Sequence, residues 1–277
     1  MTIGIVGLGL IGGSLAKAFK FSEKATVLGF DKNPSVTGIA EMSEFIDGNL
    51  ENRLSECDFI FISVDANSTV EFLSKNASKI KKDSIVVDCC GVKTAVCEPC
   101  FKIAKENGFI FVGGHPMAGT QFSGLKHSKH DMFYGANMVL VPDKDCDVQI
   151  IAKIKEVLTL AGFSSVSVTT AEKHDEIIAF TSQLAHVVSN AYVKSPNASI
   201  HKGFSAGSYK DLTRVAWLNE SMWATLFLQN KENICFEIEH LIEELKKYDN
   251  AIKTNDYDTL KALLKEGREC KERCDKI

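Results

Sequence analysis

A glycine-rich segment, residues 113–124, surrounds a single histidine, His115, directly after the apolar run at 109–112. Glycine lets a backbone approach a ligand closely, and histidine changes its charge near neutral pH. Because the apolar run predicts a strand that ends at Val112, we expect His115 to lie in a loop that carries the chemistry. The alternative is an ordinary glycine-rich turn with a hydrogen-bonded histidine.

A second glycine pattern occupies residues 7–12, between an apolar β-branched run and a helical run. In the order strand, glycine turn, helix, the first glycine makes the turn and the second leaves room for a pyrophosphate. The third lets the helix pack on the strand, with the helix N-terminus facing the phosphates. We therefore predict cofactor contacts by Gly7, Gly9, Leu10, Ile11 and Gly12. The alternative is a packing turn without a ligand.

Asp31 follows the second apolar run, 26–30, about 20 residues after the last glycine of the turn. A carboxylate at this place accepts hydrogen bonds from the adenosine ribose hydroxyls and would repel the 2′-phosphate of NADP. NAD is therefore the predicted cofactor. Lys32 follows directly and weakens the selectivity against NADP.

Further apolar runs at 59–62, 85–88, 109–112 and 138–141 are separated by segments of helical length. Continuous apolar runs suit strands that are covered on both faces, as in a parallel sheet, and ligands bind beyond the carboxyl ends of such strands. We therefore predict an α/β fold with a Rossmann-type domain and a mostly parallel sheet over 1–168. Three further cofactor contacts are predicted at strand ends, by Ser63, Val64 and Asp88.

Long helical patterns replace the β-branched runs from about Ala171, so an all-α domain is predicted over 169–277. The stretch from Ile177 to Val193 contains no Asp, Glu, Lys or Arg, which predicts one helix that is covered on all sides. Helical periodicity places His186 opposite an apolar stripe, on an uncharged polar face. His186 is either a ligand-binding residue or a buried histidine that bonds to a neighbouring helix.

The composition limits the classes of partner. A length of 277 residues favours two domains, and 45% apolar residues suffice for their cores. The net charge is −4 without a basic block, which argues against nucleic acids and membrane surfaces and favours a small metabolite. No signal peptide precedes the first apolar run, so we expect a cytoplasmic protein.

The nine cysteines are scattered along the chain, and a reducing cytosol would keep them as free thiols. Cys97 and Cys100 have the C-x-x-C spacing of redox and zinc sites, but no second pair for zinc is present and the surrounding sequence is not thioredoxin-like. We therefore expect no metal. A non-catalytic NAD-binding redox sensor remains as an alternative function.

The sequence resembles the prephenate and arogenate dehydrogenases of tyrosine biosynthesis over nearly its whole length. The segments that carry the resemblance are 7–12, 88–93, 114–120, 210–214, His186 and Met222-Trp223. It implies the oxidative decarboxylation of a cyclohexadienol, in which hydride leaves C4 for NAD, CO2 is lost and the ring becomes aromatic. Prephenate is the expected substrate, and arogenate is the alternative.

The resemblance also implies roles for individual residues. His115 takes the proton of the C4 hydroxyl as a neutral imidazole, Arg214 holds the ring carboxylate, and His186 lies near the substrate side chain. The other expected substrate contacts are Gly91, Lys93, Thr120, Gln121, Gly207, Asp211 and Trp223. The helical domain is expected to form a homodimer, in which Gly207 and Asp211 complete the active site of the partner.

Two positions depart from the family pattern. Many relatives carry Ser where this chain has Gly91, and that hydroxyl is expected to support the catalytic histidine. Here its hydrogen bond would have to come from water, the backbone or Cys90, or be absent. Many relatives also carry Glu where this chain has Gln121, so a function that needs a carboxylate there is in doubt.

Overall fold

The computed structural model describes residues 1–276, and strands and helices alternate in it up to Val168. The strands are β1 (Thr2–Val6), β2 (Thr26–Phe30), β3 (Gly48–Asn49), β4 (Phe59–Ile62), β5 (Ile85–Asp88), β6 (Ile110–Pro116), β7 (Asn137–Pro142) and β8 (Ser165–Val168). The helices between them are α1 (Leu10–Ser22), α2 (Pro34–Met42), α3 (Ala66–Asn76), α4 (Thr94–Asn107) and α5 (Val148–Leu160).

The elements from Ala171 onward are helical. They are α6 (Ala171–Ile178), a π-helical segment (Ala179–Leu184), α7 (Ala185–Tyr192), α8 (Gly207–Thr213), α9 (Glu220–Gln229), α10 (Lys231–Lys253) and α11 (Tyr257–Cys274), with short 3-10 turns at 196–200 and 214–216. The change from strands to helices therefore lies between Val168 and Ala171. This is where the sequence predicts the domain boundary.

All eight strands join in one sheet with the order β3-β2-β1-β4-β5-β6-β7-β8. The pairs are parallel from β3 to β6, β7 runs antiparallel to β6, and β8 runs parallel to β7. The order 3-2-1-4-5-6 with parallel pairing is that of a Rossmann fold. The predicted fold class, a Rossmann-type domain followed by a helical domain, is confirmed.

Both faces of the sheet are covered by helices, which explains the continuous apolar runs. In β4, Phe61 packs against Phe19 of α1, with the ring centroids 5.4 Å apart. Its neighbours Ile60 and Ile62 lie in a second core cluster on the other face, which includes Leu73 of α3. All three β4 side chains are fully buried, as expected for a central strand of a parallel sheet.

Strand β6 ends four residues later than the sequence predicts, because it continues through the two glycines to Pro116. His115 therefore lies on a strand, paired with Val139 of β7, and the prediction of a loop was wrong. Close packing explains the glycines. A Cβ at Gly113 would lie 2.5 Å from Cys97 Sγ, and one at Gly114 would lie 2.4 Å from the carbonyl oxygen of Asp88.

The predicted single helix from Ile177 to Val193 is interrupted by the π-helical segment at 179–184. The wider turn changes the angular register, so a regular stripe of 3.6 residues per turn does not continue through it. Ile177 and Phe180 are 46% and 61% exposed in the single chain. The prediction that this helix is covered on all sides is therefore wrong for one chain.

The close approach at Gly114 leads to a prediction about stability. We expect Gly114→Ala to lower the free energy of unfolding by about 1–3 kcal/mol, because the added methyl group must displace backbone atoms rather than a flexible side chain. Urea unfolding of the purified protein measures the change. Gly119→Ala is the control, since a Cβ there meets no atom within 4 Å, and its effect should stay within about 0.5 kcal/mol.

Candidate functional site

The glycine turn at 7–12 has the shape of a phosphate-binding site. Gly7 has a φ of +84°, and a Cβ at Gly12 would lie 1.8 Å from the carbonyl oxygen of Gly7, so both positions require glycine. A Cβ at Gly9 would meet no atom within 4 Å. Gly9 is also the residue before α1, and the first N–H groups of a helix have no partner within the helix. Leu10 and Ile11 thus form the first turn of a helix whose N-terminus faces open space. This arrangement can bind a pyrophosphate.

Asp31 lies beside this turn, at the carboxyl end of β2. The backbone N–H of Leu8 donates to its Oδ2 over 2.9 Å, and the N–H of Asn33 donates to its Oδ1 over 2.9 Å. Each carboxylate oxygen has a lone pair left. Asp31 is partly exposed and can accept further hydrogen bonds, so it fits the two hydroxyls of a ribose.

Ser63 and Val64 follow β4 and pack against the glycine turn. A Cβ at Gly7 would lie 2.6 Å from Val64 Cγ1 and 2.7 Å from the carbonyl oxygen of Ser63. Both residues are partly exposed at the carboxyl end of the sheet. Their position next to the turn is the one that the sequence predicts for contacts with the cofactor.

Asp88 and Lys93 form a buried ion pair, and neither side chain has exposed surface. The ammonium of Lys93 also donates to the carbonyl oxygen of Gly114 over 2.6 Å. Asp88 accepts from the backbone N–H groups of Cys90 and Gly114, over 2.8 and 3.0 Å. Direct contacts of Asp88 with the cofactor and of Lys93 with the substrate were therefore wrong predictions, because both groups are used within the protein.

The charge of Lys93 is maintained by this pairing. Burial opposes a charged ammonium, but the adjacent Asp88 carboxylate outweighs it, so the pKa of Lys93 lies above its usual value. The pair holds the backbone of Cys90 and Gly114 in place. These residues precede Gly91 and His115, so the ion pair supports both sides of the candidate site.

His115 is half-buried and is bonded to a second histidine from the helical part of the chain. Its Nδ1 lies 2.9 Å from Nε2 of His174, and Nδ1 of His174 lies 2.7 Å from Oδ1 of Asp175. His174 and Asp175 lie on α6 and are 2% and 0% exposed. The only polar partner described for the His115 ring within residues 1–276 is therefore His174.

The pKa of His115 lies well below the usual 6.5. Burial is the main cause, a proton on His174 and the charge of Lys93 each lower the pKa further, and Asp175 opposes them. A neutral imidazole is thus favoured near neutral pH. A neutral imidazole at this position can accept a proton from a hydroxyl group within hydrogen-bond reach.

His186, Trp223 and Arg214 are brought together in the helical domain. The rings of His186 and Trp223 are stacked, with centroids 3.7 Å apart and an interplanar angle of 27°. Nδ1 of His186 lies 2.9 Å from the carbonyl oxygen of Ser182, so Nδ1 carries a proton. The pKa of His186 is lowered by burial and by the charge of Arg214, whose side chain is exposed.

Helix α9 connects this group to His115. A Cβ at Gly91 would lie 3.2 Å from Cδ2 of Leu226 and 4.0 Å from Cε1 of His115. Trp223 lies one turn before Leu226 on the same helix. Gly91 is therefore next to the catalytic candidate, and a serine at this position would bring its side chain close to the His115 ring.

Thr120 and Gln121 lie on the exposed segment after β6, where Thr120 Oγ1 accepts from the N–H of Phe122 over 3.3 Å. Gly207 and Asp211 occupy exposed positions of α8, before Arg214. The place of Gly207 and Asp211 in the active site of a partner subunit stays a prediction, as do the substrate contacts of Thr120 and Gln121.

Cys97 and Cys100 are buried in α4. Burial raises the pKa of both thiols, that of Cys100 to about 12, and the thiolate is the reactive form. This argues against a redox centre at these residues. Among residues 1–276, no three His, Cys, Asp or Glu side chains are grouped as metal ligands. In the same range, every helix is too short or too polar to cross a bilayer.

Sequence reasoning missed His174 and Asp175, the partners of His115. They lie between Glu172, Lys173 and Glu176, so the start of α6 reads as a solvated helix. One signal was available. His174 lies four residues before Ile178, so the two share a helix face, and an apolar partner on that face favours a buried position.

Two family models match the chain. One is described as "Prephenate dehydrogenase, nucleotide-binding domain" and matches residues 15–167, and the other is described as "Prephenate dehydrogenase, dimerization domain" and matches residues 170–266. A cyclohexadienyl dehydrogenase of Zymomonas mobilis is 30% identical over 97% of this chain and 94% of its own. A prephenate dehydrogenase of Bacillus subtilis is 29% identical over 98% of this chain and 75% of its own.

Solved structures agree with these matches. A prephenate dehydrogenase from Aquifex aeolicus, in complex with hydroxyphenyl propionate and NAD⁺, has 30% identity and a TM-score of 0.85 over 99% of this chain and 98% of its own. The arogenate dehydrogenase of Synechocystis has 25% identity and a TM-score of 0.82 over 99% of both chains. The prediction of a nucleotide-binding domain in the N-terminal part is confirmed.

The raised thiol pKa values lead to a prediction about reactivity. In the native protein at neutral pH, we expect Cys97 and Cys100 to react with the thiol reagent DTNB only after unfolding. The double variant Cys97→Ser, Cys100→Ser should therefore leave the number of fast-reacting thiols unchanged. Cys270→Ser is the control, because Cys270 is exposed and its loss should remove one fast thiol. Fast reaction of Cys97 or Cys100 would support the redox-sensor alternative.

Proposed function

The chain belongs to the prephenate dehydrogenase family, and from this we propose that it catalyses the NAD-dependent oxidative decarboxylation of prephenate to 4-hydroxyphenylpyruvate. One observation carries the proposal. His115 is a half-buried histidine with a lowered pKa at the carboxyl end of the sheet, the end at which the nucleotide turn also lies. A neutral base next to a nicotinamide cofactor is what the oxidation of a hydroxyl group requires.

Each group of the site has a part in this reaction. His115 accepts the proton of the C4 hydroxyl, and the bound nicotinamide supplies the hydride acceptor. Arg214 pairs with the ring carboxylate, for which a guanidinium is well shaped. His186 and Trp223 form a wall for the substrate side chain. Loss of CO2 then leaves an aromatic ring, which makes the reaction irreversible.

NAD is the cofactor in this proposal. The free carboxylate lone pairs of Asp31 suit the two ribose hydroxyls, and a 2′-phosphate would meet its negative charge. The similar Aquifex aeolicus enzyme was crystallised with NAD⁺. The open space over Gly9 leaves room for the pyrophosphate of the dinucleotide.

Arogenate is the second candidate substrate. It differs from prephenate in an amino group that replaces the keto oxygen of the side chain, and the similar Synechocystis enzyme is an arogenate dehydrogenase. Gln121 offers no negative charge to an ammonium group, at a position where many relatives carry Glu. This favours prephenate.

A homodimer is the proposed assembly, because residues 170–266 match a dimerization domain and this part of the single chain exposes apolar side chains such as Phe180. Gly207 and Asp211 would then complete the partner's site. The cytoplasm is the proposed location, because its reducing conditions keep free thiols such as Cys97 and Cys100 reduced.

The test of the function is an assay of the purified protein with prephenate and arogenate, each with NAD and with NADP. The reaction is monitored by the absorbance of the reduced cofactor. We expect the highest kcat/KM for prephenate with NAD. The product should be 4-hydroxyphenylpyruvate. A higher kcat/KM with arogenate would assign the second function, and a higher one with NADP would contradict the role of Asp31.

Two substitutions distinguish the role of His115 as the base from the role of Arg214 in binding the ring carboxylate. His115→Asn should lower kcat by about 10²–10⁴, because the proton moves only as the hydride leaves. Arg214→Gln should instead raise KM more than it lowers kcat, because the ring carboxylate is bound equally in the ground state and the transition state. Steady-state kinetics of both variants measure the difference.

The pH profile identifies the base. Protonated His115 cannot accept a proton, so kcat/KM should be full at neutral pH and fall as the pH drops through the pKa of His115, which lies below 6.5. This acidic limb should be absent in the residual activity of His115→Asn. A limb that persists in the variant would assign the base to another group, with His186 as the next candidate.

A further inference from the structure

We propose that His174 and Asp175 are positioning residues that fix the proton of His115 on Nδ1 and so leave Nε2 free as the base. The inference rests on the proposed function only for the use of that base. The arrangement itself is a property of the protein without substrate. It names two residues that the family resemblance did not assign.

The chain of hydrogen bonds begins at the carboxylate of Asp175. Its Oδ1 accepts from the backbone N–H of Lys93 over 2.7 Å and faces Nδ1 of His174 over 2.7 Å. Its Oδ2 accepts from the N–H of Thr94 over 2.9 Å and from the hydroxyl of Thr94. Four donors thus surround a carboxylate that is fully buried.

These contacts keep Asp175 ionised. Burial raises the pKa of this carboxyl, but the hydrogen bonds from His174, Thr94 and Lys93 outweigh it, and the pKa lies below the usual value. Thr94 is also the first residue of α4, which has no side-chain cap of its own. The positive end of the helix dipole therefore adds to the stabilisation of the negative charge.

An ionised carboxylate fixes the proton of His174, and a neutral His174 in turn fixes the proton of His115. Because the carboxylate can only accept hydrogen bonds, Nδ1 of His174 must carry a proton. We take His174 as neutral, so its Nε2 accepts, and the bond between the two rings then requires the proton of His115 on Nδ1. The remaining nitrogen of His115, Nε2, has a free lone pair. This is the nitrogen that can take a proton from a substrate hydroxyl.

The charges around His115 agree with two neutral rings. Lys93 and Asp175 are the charged groups that act on it, and a proton added to His174 would disfavour one on His115. When His115 accepts a proton on Nε2, its Nδ1–H remains bonded to His174. The new positive charge is then stabilised through His174 by Asp175, as the carboxylate of a catalytic triad stabilises an imidazolium.

Both domains contribute contacts to the relay, which is the hydrogen-bonded chain from Asp175 through His174 to His115. Asp175 binds the N-terminus of α4 in the nucleotide-binding domain, and its carbonyl oxygen accepts from Asn230 Nδ2 over 2.8 Å. Asn230 also donates to Gln183 Oε1 over 2.9 Å. His115 comes from β6 and His174 comes from α6, so the base has the required tautomer only while the two domains are docked.

The direct test is ¹⁵N NMR of histidine-labelled protein without substrate, at a pH above the pKa of His115, with the His115→Asn variant used for assignment. We expect a protonated Nδ1 and an unprotonated Nε2 in His115, and the same tautomer in His174. A proton on Nε2 of His115 would overturn the proposal. This result does not depend on the substrate or on activity.

Kinetics test whether the arrangement matters for the reaction. His174→Leu removes the acceptor for His115 Nδ1–H, and we expect kcat to fall about ten- to a hundredfold, with a smaller change in KM. His174→Gln offers an amide oxygen as acceptor and should recover part of the loss. His130→Gln is the control, since His130 is exposed and outside the relay.

The outcomes separate this proposal from the proposed function. If wild-type protein converts prephenate and the His174→Leu variant keeps full kcat and an unchanged acidic limb, the relay has no role in catalysis. If the wild type has no activity with prephenate or arogenate, the function fails, while the NMR spectrum still decides the tautomer. If the leucine variant does not fold, the tautomer of the wild type and the glutamine variant decide the proposal.

Discussion

The buried ion pair between Lys93 and Asp88 is the interaction on which the rest of the site depends. Removing one partner of such a pair leaves an uncompensated charge in the interior and costs about 3–5 kcal/mol. The pair also binds the backbone of Cys90 and Gly114, so it fixes the backbone directly before Gly91 and His115. The interior lysine thus joins the end of β5 to β6 at the site.

Much of the fold follows from local patterns in the sequence. The apolar runs gave five of the six predicted strands nearly at their observed limits, because strands covered on both faces need no polar alternation. The sixth strand, β6, was predicted to end too early, at Val112, because Gly113 and Gly114 are typical of a turn. Whether two glycines end a strand depends on the strand beside them, and here β7 pairs with them and Cys97 packs close to them.

The site was predictable in its residue types and less so in its contacts. His115 and His186 stood out from the sequence pattern, and the family resemblance supplied their roles and added Arg214 and Trp223. The structure brings His186, Arg214 and Trp223 together. The contacts of Lys93 and His174 were not predicted correctly, because the sequence did not show that these side chains are buried. A lysine near a strand end suggests a ligand contact, but Lys93 has an internal carboxylate partner. A histidine among charged residues suggests a surface position, but His174 is buried against His115 of β6. Such long-range packing leaves little trace in the local sequence.

Asp175 serves two purposes, and this limits how the position can vary. Its carboxylate caps α4 and thereby joins the helical domain to the nucleotide-binding domain. The same carboxylate accepts the hydrogen bond from His174. An amide at this position would present donor hydrogens to at least one group that can only donate, either the N–H of Lys93 or that of Thr94. A longer carboxylate would have to find space in a fully buried position. The residue that docks the domains is therefore the same one that orients the base, so domain docking and the correct state of His115 are linked by one hydrogen-bonded group.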